Sequence, residues 1–141
     1  MDDRHARHRR ADADRRRRPS DGFRVADRGR FGRLVDAALD DLPRGLLSYV
    51  ENVQIVVEDM PPADVLGRGD EVLLGLYQGV PRTDRAGDPA VLPDRITLYR
   101  RPIEARVANK EELAALVREV VVHELAHHFG IDDDRLDELG W

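Results

Sequence analysis

Apolar residues recur along the chain in two rhythms, and the change between them marks the elements. Phe31, Leu34, Val35, Ala38, Leu39 and Leu42 fall at i, i+3, i+4, i+7, i+8 and i+11, which predicts an amphipathic helix over residues 28–42. Pro43 ends that helix or opens a second short one through Leu46, Leu47, Tyr49 and Val50. The rhythm then becomes alternation. Over residues 52–58, Val53, Ile55 and Val57 share one face of a strand that Pro61 and Pro62 close. Residues 72–78 and 95–100 read as two further strands, with Pro102 closing the last. Gly75 inside the second marks a bulge or a close backbone approach. The segment joining these two strands is long for a hairpin loop, and loops of that length are often functional. The helical rhythm returns with Leu113, Leu116, Val117, Val120, Val121 and Val122, and runs to Phe129. Asn109 followed by Glu112 gives a capping-box-like start, and Gly130 is the expected stop. A short helix over residues 134–139 completes the pattern. The expectation is an α+β fold: a small mixed sheet of about three to four strands packed on helices, with a long helix near the C-terminus.

Residues 1–22 stand apart. They have almost nothing apolar and no periodicity, so they read as a disordered Arg-rich tail ahead of one domain over residues 23–141. Eight Arg and four Asp within residues 1–20 carry +4, so a chain of net charge −5 leaves −9 on the remainder. The run Arg15 to Arg18 suits a nucleic-acid or acidic partner, or is simply solvated. The absence of Cys excludes a disulfide framework, a thiolate nucleophile and Cys-based metal sites. With 36% charged residues, no apolar run approaches a bilayer span, and the charged start lacks the apolar segment of a secretory signal. A cytoplasmic protein with no membrane partner is expected.

Three of the five His lie within one segment, at 123, 127 and 128. His123 and His127 are four apart on a predicted helix, so they stack on one face. Glu124 is turned about 100° from His123 and about 60° from His127. The stripe that carries Leu113, Leu116 and Val120 toward the core is expected to present His, Glu and His further along. Two neutral imidazoles and a neighbouring carboxylate are what a zinc hydrolase needs: ligands for the metal, and a base for the proton of water at the metal. The run His123-Glu124-x-x-His127-x-x-Gly130-x-x-Asp133 makes Asp133 the third ligand. Asp132 or Asp134 is then left to cap the last helix. Three protein ligands leave a fourth position to water, the mark of a catalytic rather than structural site. One zinc per chain is expected. A His-rich helix end stabilising the dipole would account for His127 and His128, but not for His123 or Glu124 on an apolar face.

With these residues the chain resembles the minimal zincin-like metallopeptidases, small bacterial proteins carrying H-E-x-x-H-x-x-G-x-x-D. The resemblance covers roughly residues 31–141, through FGRLVDAALDDLP, VQIVVED, LLGLYQGVP, LPDRITLYRRPIE and HELAHHFGIDDDRLDELGW. It implies zinc at the helix, His123, His127 and Asp133 as ligands, and Glu124 as general base for peptide hydrolysis. It also suggests that residues 72–78 form an edge that aligns an extended peptide or protein substrate by strand addition. No Met follows Asp133, so the Met-turn of larger relatives is missing. A carboxylate ligand makes the zinc a weaker Lewis acid than a third His would.

Other residues near the motif carry open roles. His128 is either a partner to the metal ligands or a buried, satisfied His. Tyr77 and Tyr99 either donate to a tetrahedral oxyanion or pack the sheet. Glu119 is expected on the side away from Glu124, Arg100 and Arg101 to be solvated, and Trp141 to flank the site or fray. Two alternative functions stand beside peptide hydrolysis. One is a zinc-containing module that binds a partner without catalysis. The other is an RNA-processing hydrolase, since H-x3-H-x5-D is similar to the H-x3-H-x5-H of bacterial zinc proteins linked to ribosomal RNA maturation. Those proteins lack the Glu after the first His, and the acidic body argues against nucleic acid. The oligomeric state is not legible in the chain.

Overall fold

Alternation at Val53 and Ile55 buries both side chains, and the strand they define, β2 (Val53–Glu58), lies inside a sheet. The computed structural model describes residues 22–63, 73–79 and 93–141. Among these, the other strands are β1 (Phe23–Val25), β3 (Gly75–Gln78) and β4 (Asp94–Tyr99). The order is β1-β2-β4-β3, with β1 and β4 parallel to β2, and β3 antiparallel to β4. The helices are α1 (Arg30–Leu39), α2 (Arg100–Glu104), α3 (Lys110–Phe129) and α4 (Asp133–Glu138), with a 3-10 turn at Leu46–Tyr49. This is the small mixed sheet on helices that the patterning predicts. The Arg-rich tail to residue 21, the start of the 72–78 run and most of the connection before β4 lie outside the described residues. No helix among the described residues is long and apolar enough to cross a membrane.

The core forms where α1 and α3 pack together beside the sheet. From α1 it takes Phe31, Val35, Ala38 and Leu39, while Leu34 is only half-buried. From α3 it takes Leu113, Val117, Val120, Val121, Val122 and Leu125. The buried arc of α3 therefore turns along the helix. Leu116, expected in the core stripe, is partly exposed, and Val122 and Leu125 take over burial in the second half. That rotation leaves His123 and His127 exposed.

Both ends of α3 follow from single residues. The Asn109 side chain accepts the Glu112 backbone N–H at 2.9 Å. Glu112 accepts in turn from the Asn109 side-chain amide at 3.0 Å, where a full capping box would use the backbone N–H. At the other end Gly130 adopts φ 66°, ψ 37°, the left-handed region that glycine reaches without a Cβ penalty. The Gly130 and Ile131 N–H groups both reach the Ala126 carbonyl, which closes the helix.

Three element boundaries differ from expectation for local reasons. β3 begins at Gly75 because its partner β4 becomes helical at Arg100, which leaves little strand to pair beyond Leu74. Pro102 does not simply close β4; it sits in the first turn of α2, where its missing N–H is not needed. β1 has only three residues, too few for alternation to register. Arg100 is not merely solvated: its guanidinium bonds Asp59 at 2.8 Å and Glu104 at 2.7 Å, fastening the start of α2 to the end of β2.

Two substitutions away from the His residues test this account by urea unfolding. Leu39→Ala, at a fully buried position, is expected to lower stability by about 2–5 kcal/mol. Asn109→Ala is expected to lower it by about 1 kcal/mol through loss of the cap. An unchanged midpoint for either would contradict the corresponding assignment.

Candidate metal centre

The second half of α3 carries two parallel stripes with four-residue spacing. Val120, Glu124 and His128 face β3. Glu119, His123 and His127 line a cleft on the adjacent side.

On the β3 side the helix comes very close to the strand. A Cβ on Gly75 would lie 2.7 Å from Val120 Cγ1, so only glycine allows the approach. One helical turn on, a Glu124 carboxylate oxygen accepts the Tyr77 backbone N–H at 2.9 Å. One further turn on, His128 stacks on the Tyr77 ring, with centroids 3.9 Å apart and 18° between planes. The Tyr77 hydroxyl donates to Asp94 at 2.7 Å. Gly75 thus marks the close approach rather than a bulge.

The other stripe opens into a cleft of about 550 Å³ between the end of α3 and α4. Val122, Ala126, Ile131 and Leu136 contribute its apolar lining, and Trp141 stands on its flank. Its polar groups are His123, His127, Glu119, Asp132 and Asp133. The chain reverses at Gly130, Ile131 is buried, and α4 starts at once. Asp132 caps α4 by accepting the Arg135 N–H at 2.8 Å. Asp133, one residue on, makes no hydrogen bond or ion pair among the described residues.

His123, His127 and Asp133 therefore share one cleft, but their side chains do not meet at a point. Among the described residues, no three His, Asp or Glu side chains form a group that could hold a metal as they stand. The donor set nonetheless suits a divalent cation: two imidazoles and a carboxylate, all exposed, none committed to another described partner. No Lys or Arg is among the described residues lining the cleft, while three carboxylates are. Arg118, next to Glu119 in sequence, pairs with Asp41 at 3.7 Å, and Arg135, two residues from Asp133, is likewise drawn elsewhere. Its hydrogen bond to the Tyr49 hydroxyl and its pairing with Glu138 hold its pKa above the ordinary value.

The remaining expectations divide. His128 is exposed rather than buried, and its partner is Tyr77. Tyr77 lies beside Glu124, with its hydroxyl engaged by Asp94. Tyr99 is not brought to this place. It is buried at the α2 end of β4, and alternation puts it on the opposite sheet face from Ile96 and Leu98. Glu119 lies on the side away from Glu124, as expected, and there it lines the cleft with the two His; its i, i+4, i+8 spacing with them was the available signal. A cluster of Tyr49, Tyr77, His128 and Phe129 around the end of α3 was also missed, because its members are far apart in sequence.

Comparison with known proteins bears on the same segment. No curated protein matches the chain. A family model described as zincin-like metallopeptidase matches residues 50–141, more than half of the chain, from just before β2 through α3 and α4 to Trp141. With three of the four described strands and the motif-bearing helix inside that match, the chain belongs to the zincin-like metallopeptidase family.

Proposed function

We propose that this protein is a zinc-dependent metallopeptidase, with His123, His127 and Asp133 as ligands of one zinc per chain and Glu124 as general base. The observation that carries the reading is the shared cleft: two imidazoles one turn apart on α3, and an uncommitted carboxylate at the start of α4. Bound there, zinc would act as a Lewis acid that acidifies water and polarises a carbonyl.

The chain's own groups supply the rest. Glu124 follows His123 directly, so its carboxylate flanks the ligand stripe on the side of β3. There it takes the proton from the attacking water and returns it to the leaving amine as the peptide bond breaks. Among the described strands, β3 is an edge, paired only with β4. An extended peptide or protein substrate running along it would be aligned by main-chain hydrogen bonds and presented to Glu124. The acidic rim of Glu119, Asp132 and Asp133 favours cations over nucleic acid in the cleft. Residues 23–141 form the catalytic domain in this reading, and the Arg-rich tail is an appendage to it. A soluble protein acting in the cytoplasm fits the charged sequence.

Elemental analysis of the purified protein, with zinc supplied and excess removed, is expected to give about one zinc per chain, lost in His127→Ala. Absence of zinc from wild type would sink the metal assignment. The two neighbouring aspartates separate ligand from cap: Asp133→Ala is expected to lose zinc. Asp132→Ala should keep zinc and lose about 1 kcal/mol of stability instead. The reverse pattern would reassign the third ligand. In a peptide-library assay, Glu124→Gln is expected to keep zinc while losing about a hundredfold or more in turnover. Hydrolysis at the wild-type rate in that variant would remove Glu124 from the chemistry, and no cleavage by wild type would point to a zinc-stabilised binding module.

A further inference from the structure

Glu124 is the only member of the motif whose carboxylate is held by a distant element. Its partner, the Tyr77 backbone N–H, lies 47 positions earlier in the chain, at 2.9 Å from Oε1. The register explains why that N–H is available. Tyr99 N–H donates to the Leu74 carbonyl, so Leu74, Leu76 and Gln78 turn their backbone groups toward β4. The backbone groups of Gly75 and Tyr77 then point to the outer edge of β3. An outward N–H on an edge strand normally meets water or another chain. Here Glu124, reaching from α3, meets it.

Two contacts fix the strand against the helix at that height, and a third ties it to β4. Gly75 lets the backbone close on Val120. The Tyr77 ring lies on the His128 ring at 3.9 Å. The Tyr77 hydroxyl is tied to Asp94 on β4 at 2.7 Å. Tyr77 is thus anchored through ring and hydroxyl, and its N–H cannot move without breaking one of those anchors. The bond it makes is of the charge-assisted kind, N–H to carboxylate, which is stronger and shorter than a neutral one. It occupies one oxygen of Glu124 and leaves Oε2 without a described hydrogen-bond partner.

We propose that Tyr77 is a positioning residue for Glu124: its anchored backbone N–H fixes Oε1 and aims Oε2 at the proton that the base must take. The proposal rests on the peptidase reading above and gives the edge strand a second task besides aligning substrate. A flexible carboxylate at the surface of a helix samples several rotamers, and a base outside hydrogen-bond reach of its proton does no work. A single fixed oxygen removes most of that freedom, and small misplacements of a catalytic group cost large factors in rate.

The first test needs no substrate. Amide hydrogen exchange at Tyr77, followed by NMR, is compared in wild type, Glu124→Gln and Glu124→Ala. The Gln side chain keeps an accepting oxygen and Ala does not. Exchange is expected to be slow in the first two and about tenfold faster in Glu124→Ala. Equal exchange in all three would overturn the contact, and with it the proposal. The second test is kinetic. Tyr77→Ala keeps the N–H but loses ring and hydroxyl; its kcat is expected to fall by about tenfold or more, with KM within about twofold. Tyr77→Phe keeps the stacked ring, so most of the kcat should return. A raised KM at unchanged kcat would mean that Tyr77 serves binding alone, which overturns positioning. If Tyr77→Ala does not fold, the Phe variant and the exchange series still decide, since neither removes the stacked ring. Wild-type protein that cleaves no peptide would overturn the peptidase reading and the positioning role together, while exchange would still report whether the contact itself exists.

Discussion

The reversal at Gly130 is the constraint on which the candidate site depends. An L-residue with a side chain would resist the left-handed conformation there by about 1–2 kcal/mol. Glycine accepts it, and α3 stops on the Ala126 carbonyl. Ile131 then turns inward and is buried, which draws the chain back toward the helix it has just left. Asp132 can therefore cap a new helix at once, and Asp133 falls beside the His residues of the old one. Each step requires the one before it. A longer or looser exit from α3 would leave His123 and His127 in place but remove the third donor from their cleft.

Charge reinforces that geometry. The cleft gathers three carboxylates and two imidazoles with no Lys or Arg in its described lining. Of the two Arg close by in sequence, Arg118 pairs with Asp41, and Arg135 is held by Tyr49 and Glu138. A concave surface with one sign of charge concentrates ions of the other sign. Glu119 adds to this field from the same helical stripe as the two His.

Much of this was legible in the sequence, and the residues show why. The long helix announced both ends through Asn109 and Gly130, because caps are local chemistry. The motif spacing brought His123, His127 and Asp133 to one cleft because helical period and one glycine turn suffice to relate them. Gly75 flagged a close approach, which proved to be against Val120. What stayed hidden depends on elements meeting in space. β1 is too short to show a period, and its pairing with β2 is nonlocal. Leu116 has the right spacing for the core, but the packing of α1 and the sheet decides which arc of α3 is covered. Tyr99 resembles Tyr77 in sequence terms and lies on the other face of the sheet, a difference of pairing register alone. The bond from Tyr77 to Glu124 spans 47 positions and involves a backbone group, so no side-chain pattern could disclose it.

α3 must therefore satisfy three neighbours with one sequence. One arc, through Val117, Val121 and Leu125, is committed to the core. A second, through Val120, Glu124 and His128, is committed to β3. A third, through Glu119, His123 and His127, faces the cleft. Because four-residue steps drift slowly round a helix, the arcs lie side by side and none can widen without taking positions from another. This explains why the helix is apolar on one side at its start and carries charged and His residues on two sides at its end. It also separates the consequences of change. Loss in the core arc acts on stability, loss in the cleft arc acts on the donors, and loss in the β3 arc acts on where Glu124 is held. Glu124 belongs by sequence to the His motif and by contact to the edge strand, so under the proposed function it would join the ligand stripe to the strand that aligns substrate.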